Sequence, residues 1–74
     1  METIHKKADW LRKASRRKVT AGFLPSPNEC KSMAATIGRW NHNEGKPFGI
    51  MLRQLINYET GYVQVTRVNI GKEV

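Results

Sequence analysis

The chain has 74 residues, with 13 Lys and Arg against 6 Asp and Glu, which gives a formal net charge of +7. A chain this short forms one small domain, which excludes two-domain enzymes, dinucleotide-binding units and barrels. One cysteine cannot form an intramolecular disulfide, and no apolar run approaches the roughly 18 residues of a membrane span. We therefore expect a cytoplasmic protein that binds a polyanionic or acidic partner and does not enter membranes.

Positive charge is concentrated near the N-terminus. The basic side chains of this segment are Lys6, Lys7, Arg12, Lys13, Arg16, Arg17 and Lys18. We predict a basic arm over residues 1–18, helical or disordered, followed by a domain over residues 19–74. Lys and Arg neutralise phosphates and release counterions, so the arm favours a role in binding nucleic acid or an acidic surface.

The arm has a weak helical pattern. Its apolar stripe, at about 100° per residue, consists of Ile4, Ala8, Leu11 and Ser15. An isolated helix of this length is marginal in water, so we expect it to fray in the free protein and to become ordered on contact with a partner. Trp10 falls on the opposite side, among cations, where its predicted role is to stack on a base or enter a protein groove. The alternative for Trp10 is packing against the domain.

The clearest element is a helix over residues 27–43. Ser26 is its predicted N-cap, Pro27 suits the first turn, and Glu29 completes a capping box. The core stripe that follows is Cys30, Met33, Ala34, Ile37 and Trp40. Gly45, followed two residues later by a proline, is the predicted end of the helix.

Strands complete the predicted fold. Tyr62–Ile70 is rich in Val, Thr and Tyr and alternates as a strand does. Residues 48–56 fit either a helix or a strand, and we predict a strand because Tyr62–Ile70 needs a pairing partner. Residues 57–61 then form the loop of an antiparallel hairpin, and Val19–Leu24 is a candidate third strand. The predicted class is α+β, one amphipathic helix on a hairpin or a small three-stranded sheet, with the last four residues as a loose tail.

A second basic set lies outside the arm. Lys31 and Arg39 are predicted on the outer face of the helix, and Arg53 and Arg67 on one exposed face of the hairpin. Isolated surface cations serve solubility more often than contact. The order of helix and hairpin is also similar to the C-terminal half of a winged helix, in which the helix would enter the major groove. Residues 19–25 have no helix signal, however, and a winged helix needs a second helix ahead of the wing.

Patterns for catalysis or metal binding are absent from the sequence. His5, His42 and Cys30 have no zinc-ligand spacing, and no glycine-rich phosphate loop precedes a helix. Cys30 lies on the core stripe, where its expected role is that of a small buried hydrophobe. We expect a non-enzymatic protein without metal or cofactor.

A helix followed by a hairpin that ends in an alternating Val-x-Val-x-Arg-Val pattern spans residues 26–68. Its segments are Ser26-Pro27-Asn28-Glu29, Ile37-Gly38-Arg39-Trp40-Asn41, Glu44-Gly45-Lys46-Pro47-Phe48 and Gly61-Tyr62-Val63-Gln64-Val65-Thr66-Arg67-Val68. This arrangement resembles small phage-encoded transcription regulators that bind the host bacterial RNA polymerase. The resemblance is architectural, and it implies inhibition of initiation or readthrough of terminators without assigning a role to any residue.

The sequence supports two main functional hypotheses. In the first, the domain over residues 19–74 docks on the transcription machinery, bacterial RNA polymerase above all, and the basic arm lies near nucleic acid. In the second, the chain binds DNA or RNA directly through the arm and the outer face of helix 27–43. An adaptor for another acidic host protein is a third hypothesis that the sequence does not separate from the first.

Overall fold

The computed structural model describes residues 2–71, which form two helices and one three-stranded sheet. The helices are α1 (Lys7–Ala14) and α2 (Cys30–Trp40), and the strands are β1 (Val19–Phe23), β2 (Ile50–Asn57) and β3 (Tyr62–Asn69). The strand order is β1-β3-β2, with β3 antiparallel to both neighbours. The predicted α+β class, the hairpin and the third strand are confirmed. Of the predicted tail, residues 72–74 lie outside the described part of the chain.

The helical stretch is longer and less regular than predicted, and it delays the start of β2. A 3-10 turn, Pro27–Glu29, precedes α2, and a π turn, Asn41–Gly45, follows it. The predicted end at Gly45 is wrong, because a further 3-10 turn continues the helical path over Lys46–Phe48. Gly49 ends it with a φ of 71°, a left-handed conformation that glycine adopts without steric cost.

The predicted capping box is only half formed. Ser26 Oγ accepts a hydrogen bond of 3.3 Å from the Asn28 N–H. Glu29 does not return this bond to the helix start, because its Oε1 accepts one of 3.1 Å from Lys7 Nζ. The resulting ion pair joins the start of α1 to the turn that leads into α2.

The N-terminal segment is packed into the core. Of the two states predicted for it, the helix is the one formed, and Trp10, Leu11 and Ala14 are buried. The expectation that this segment frays in the free protein is therefore wrong, because these side chains are part of the core. Ile4 also reaches the core, but outside the helix, where its N–H donates to Phe23 O at 2.7 Å beside β1. Of the predicted stripe, Ile4 and Leu11 are buried, whereas Ala8 is exposed and Ser15 is half-buried. The buried face of α1 differs from the predicted one because Ile4 lies outside the helix, and Trp10 and Ala14 join Leu11 there.

The two faces of the sheet differ. The helices lie on one face, whose buried side chains include Leu52, Val63 and Val65. Residues that lie opposite each other on neighbouring strands have side chains on the same face of the sheet, and so does every second residue along one strand. By this register the other face consists of Val19, Ala21, Phe23, Met51, Arg53, Leu55, Asn57, Tyr62, Gln64, Thr66 and Val68. No helix of the described residues packs on this second face, which we call the open face.

The outer edge of β2 is closed at one position by a side chain. Asn41 donates from Nδ2 to Leu52 O at 3.0 Å, and its Oδ1 accepts from the Leu52 N–H at 2.9 Å. The amide therefore takes the place that a neighbouring strand would occupy. Because the N–H and C=O groups of Leu52 are both hydrogen-bonded, this position of the edge is protected from pairing with a strand of another chain.

Replacing Asn41 tests this edge contact. We expect Asn41→Ala to lower the free energy of unfolding by about 1–3 kcal/mol, measured by urea denaturation, because the Leu52 backbone groups lose their partners. Asn43→Ala is the matched control, at an exposed position of the same π turn. It should change the stability by less than about 0.5 kcal/mol. Equal losses in the two variants would contradict the assignment.

Candidate nucleic-acid interface

Eleven Lys and Arg residues are predicted from the sequence as binding residues. Seven of them make no ion pair or hydrogen bond through their side chains within residues 2–71. These are Lys6, Lys13, Arg16, Arg17, Lys18, Lys31 and Arg53. The other four have partners: Lys7 with Glu29, Arg12 with Asp9, Arg39 with Thr36 and Arg67 with Ser15. The unpaired set is not spread evenly, because four of its members lie between residues 13 and 18.

These four cations, Lys13, Arg16, Arg17 and Lys18, form what we call the basic turn, which runs from the last turn of α1 to the start of β1. All four are exposed. The Arg16 N–H donates to Lys13 O and the Arg17 N–H to Ala14 O, each at 3.1 Å, so the backbone is tightly folded. Ala14 itself is buried in the core. Several like charges are therefore held close together on a fixed backbone.

Arg67 anchors the basic turn at both ends. Its backbone N–H donates to Lys18 O at 2.8 Å, and its Nη1 donates to Ser15 O at 3.3 Å. The prediction that Arg53 and Arg67 share one exposed face is wrong. Arg67 lies opposite Leu52 on the helix-covered face, whereas Arg53 lies opposite Thr66 on the open face. Arg67 is thus a positioning residue for the turn.

The cations of α2 lie apart from one another. Lys31 is in its first turn, close to the Asn57 end of the sheet, since the Cys30 thiol lies 3.7 Å from Asn57 O. Arg39 is in its last turn and donates to Thr36 Oγ1 at 3.3 Å. Eight residues along a helix correspond to about 12 Å. The predicted outer helix face therefore supplies two separated cations, of which only Arg39 is near the helix ends that face the basic turn.

Trp10 is not available to a partner. Its side chain belongs to the core and is only 4% exposed. The prediction that it stacks on a base or enters a protein groove is wrong, and the alternative, packing against the domain, is the one observed. The indole lies against β1, where Gly22 leaves room for it.

A groove that the sequence did not reveal lies beside the basic turn. It has a volume of about 540 Å³ and runs between the ends of the two helices and the start of β2. Its lining consists of Arg12, Ser15, Arg16, Trp40, Glu44, Phe48 and Ile50. The Phe48 side chain is 70% exposed, and Trp40 is half-buried against the core. Phe48 was missed because a strand over residues 48–56 gives no reason for an aromatic ring to face solvent.

Other kinds of site find no support in the described residues. Within residues 2–71, no three His, Cys, Asp or Glu side chains come together as metal ligands. None of the helices in that part of the chain is long and apolar enough to cross a membrane. Between β1 and α2 the described chain has only the 3-10 turn Pro27–Glu29, so the second helix of a winged-helix unit is absent there.

No family model, curated protein or solved structure matches the chain. Its function is therefore inferred from the geometry and charge of the described residues alone.

The anchoring role of Arg67 can be tested against Arg53. We expect Arg67→Met to lower the free energy of unfolding by about 1–2 kcal/mol, because Ser15 O loses its charged donor. Amide hydrogen exchange at Arg16 and Arg17 should become faster in the same variant. Arg53→Met removes the same charge from the exposed side of the same sheet and should leave both measurements unchanged. Similar effects of the two substitutions would show that charge, and not the anchor, is responsible.

Proposed function

We propose that this protein is a non-enzymatic nucleic-acid-binding protein whose basic turn contacts backbone phosphates. The observation that supports the proposal is the set of four exposed cations between residues 13 and 18 that lack partners within residues 2–71. Their mutual repulsion destabilises the free chain, and a polyanion removes it. Counterion release from the nucleic acid then favours binding. We place this function in the cytoplasm, in keeping with the unpaired Cys30 thiol.

The distribution of charge favours phosphate contacts over sequence readout. A helix that reads the major groove presents several polar side chains to neighbouring base edges. Here Lys31 and Arg39 are a distance of about two helical turns apart, and Arg39 is bonded to its own helix. Affinity in this proposal therefore comes mainly from the turn, and it depends steeply on salt.

A double neutralisation tests the proposal. We expect Arg16→Gln/Arg17→Gln to weaken binding to a labelled oligonucleotide and to reduce the slope of log K against log salt by about 0.7–0.9 for each phosphate that is no longer neutralised. Lys6→Gln/Lys31→Gln is the control: it removes the same charge from two exposed, unpaired cations outside the turn. The control should retain most of the slope. Identical slopes for the two double variants would refute a localised phosphate site.

A second candidate function is docking on the transcription machinery, with bacterial RNA polymerase as the proposed partner. The open face favours it, because Val19 and Leu55 are 49% and 61% exposed there and Phe23 38%. Arg53 is the one charged side chain of this face within the described residues. Exposed apolar side chains of this kind, although Gln64 and Thr66 of β3 lie between them, are more typical of protein contacts than of phosphate contacts.

Capture from a bacterial lysate separates the two candidates. If docking operates, polymerase subunits should remain bound to the immobilised chain after nuclease treatment, and Leu55→Asp should release them. Tyr58→Asp is the matched control, because Tyr58 is similarly exposed but lies in the hairpin loop, away from the open face. Loss of all bound protein on nuclease treatment would refute docking and leave direct nucleic-acid binding.

A further inference from the structure

The groove beside the basic turn combines two kinds of surface. Arg12 and Arg16 supply positive charge on its α1 side, and Trp40 and Phe48 supply aromatic surface on the other. Arg16 belongs to the basic turn, so the groove is continuous with the proposed phosphate contacts. Its volume of about 540 Å³ falls in the range of about 300–1,000 Å³ that is usual for small-ligand sites.

The exposure of Phe48 is unusual for its surroundings. A large apolar ring that is 70% exposed loses the stabilisation that burial would give, and the fold does not require this placement for core packing. Pro47 precedes it within the 3-10 turn, and Gly49 ends that turn, so the backbone beneath the ring is restricted. The ring is thus presented at a defined place at the edge of the groove.

The charges of the groove limit what can enter it. Glu44 also lines it and repels an anion, so a ligand must direct its negative charge toward Arg12 and Arg16. Arg12 is held by Asp9 at 3.4 Å, an exposed contact that a phosphate can displace at low cost. The opposite part of the ligand must be uncharged and flat to lie on an aromatic ring. A nucleotide has this division into anionic phosphate and neutral planar base.

We propose that the groove binds an unpaired base of a single-stranded nucleic acid, stacked on Phe48 with Trp40 beside it, while the adjoining phosphates lie on Arg12 and Arg16. This inference rests on the proposed function and specifies its substrate as single-stranded. Stacking on aromatic side chains tolerates any base, because every base has a flat π-face. A duplex keeps its bases paired and stacked, so it reaches only the basic turn.

The test compares four ligands of equal length: a single strand in ribose form, the same strand in deoxyribose form, a strand with abasic positions, and a duplex. Binding is measured by fluorescence anisotropy at one salt concentration. We expect Phe48→Ala to weaken binding of the intact single strands by about 5- to 150-fold. The affinity of the Phe48→Ala variant for the abasic strand and for the duplex should equal that of the unmodified protein. Unequal losses for the ribose and deoxyribose forms identify which of the two the groove prefers.

Two further variants complete the design. Phe48→Tyr preserves a stacking ring and should retain the affinity for the single strand. Tyr58→Ala removes another exposed aromatic side chain, in the hairpin loop, and should have no effect. Unchanged single-strand binding by Phe48→Ala, or equal losses for the intact strands, the abasic strand and the duplex, would overturn the inference. In that case the proposed function still stands if Arg16→Gln/Arg17→Gln lowers the salt dependence, and it falls as well if the unmodified protein binds none of the ligands.

Discussion

Packing of Trp10 against Gly22 holds α1, and with it the basic turn, against the sheet. A Cβ atom at residue 22 would lie 3.0 Å from Ile4 Cγ1 and 3.2 Å from Trp10 Nε1, so a side chain there would push the segment away. This contact has a polar cost, because Trp10 Nε1 and Thr20 Oγ1 are buried without hydrogen-bond partners within residues 2–71. Each such group costs about 1–3 kcal/mol. Apolar packing, together with the Lys7–Glu29 ion pair and the hydrogen bonds from Arg67, must therefore exceed this cost to keep α1 on the sheet.

Because α1 is fixed, the charges that follow it are fixed as well. A flexible arm relaxes the repulsion among its cations by moving, whereas the basic turn is held by Ala14 in the core and by Arg67 from β3. The free protein is therefore less stable than it would be without this repulsion. A polyanion that binds the turn removes the repulsion, and it meets side chains on a backbone that needs no further ordering. The repulsion among the cations, which destabilises the free protein, thus favours the state in which a polyanion is bound.

The strand β3 and the helix α2 could be predicted because their patterns are local, with alternation in β3 and a helical stripe in α2. The local pattern of β2 was ambiguous, and its prediction followed from the need of β3 for a pairing partner. The burial of Trp10 could not, because it depends on Gly22 twelve residues later in the chain. Arg67 did carry a sequence signal that the prediction of an exposed position overlooked: it shares the period-two position of the two buried valines of β3, which places it on the covered face. The exposure of Phe48 had no sequence signal, because it follows from a helical path that continues to residue 49.

The sheet separates the two surfaces for which we propose binding. The basic turn and the groove lie at the ends of the helices on one side, and the open face lies on the other, so a macromolecule on one surface leaves the second accessible. The two surfaces come nearest at Val19, which follows Lys18 directly and lies in one cross-strand row with Thr66 and Arg53. A protein docked there would end beside the nucleic acid held by the turn. If the docked protein itself holds the nucleic acid, each of the two proposed binding events would raise the effective concentration of the other, so the two proposed functions are compatible on this fold.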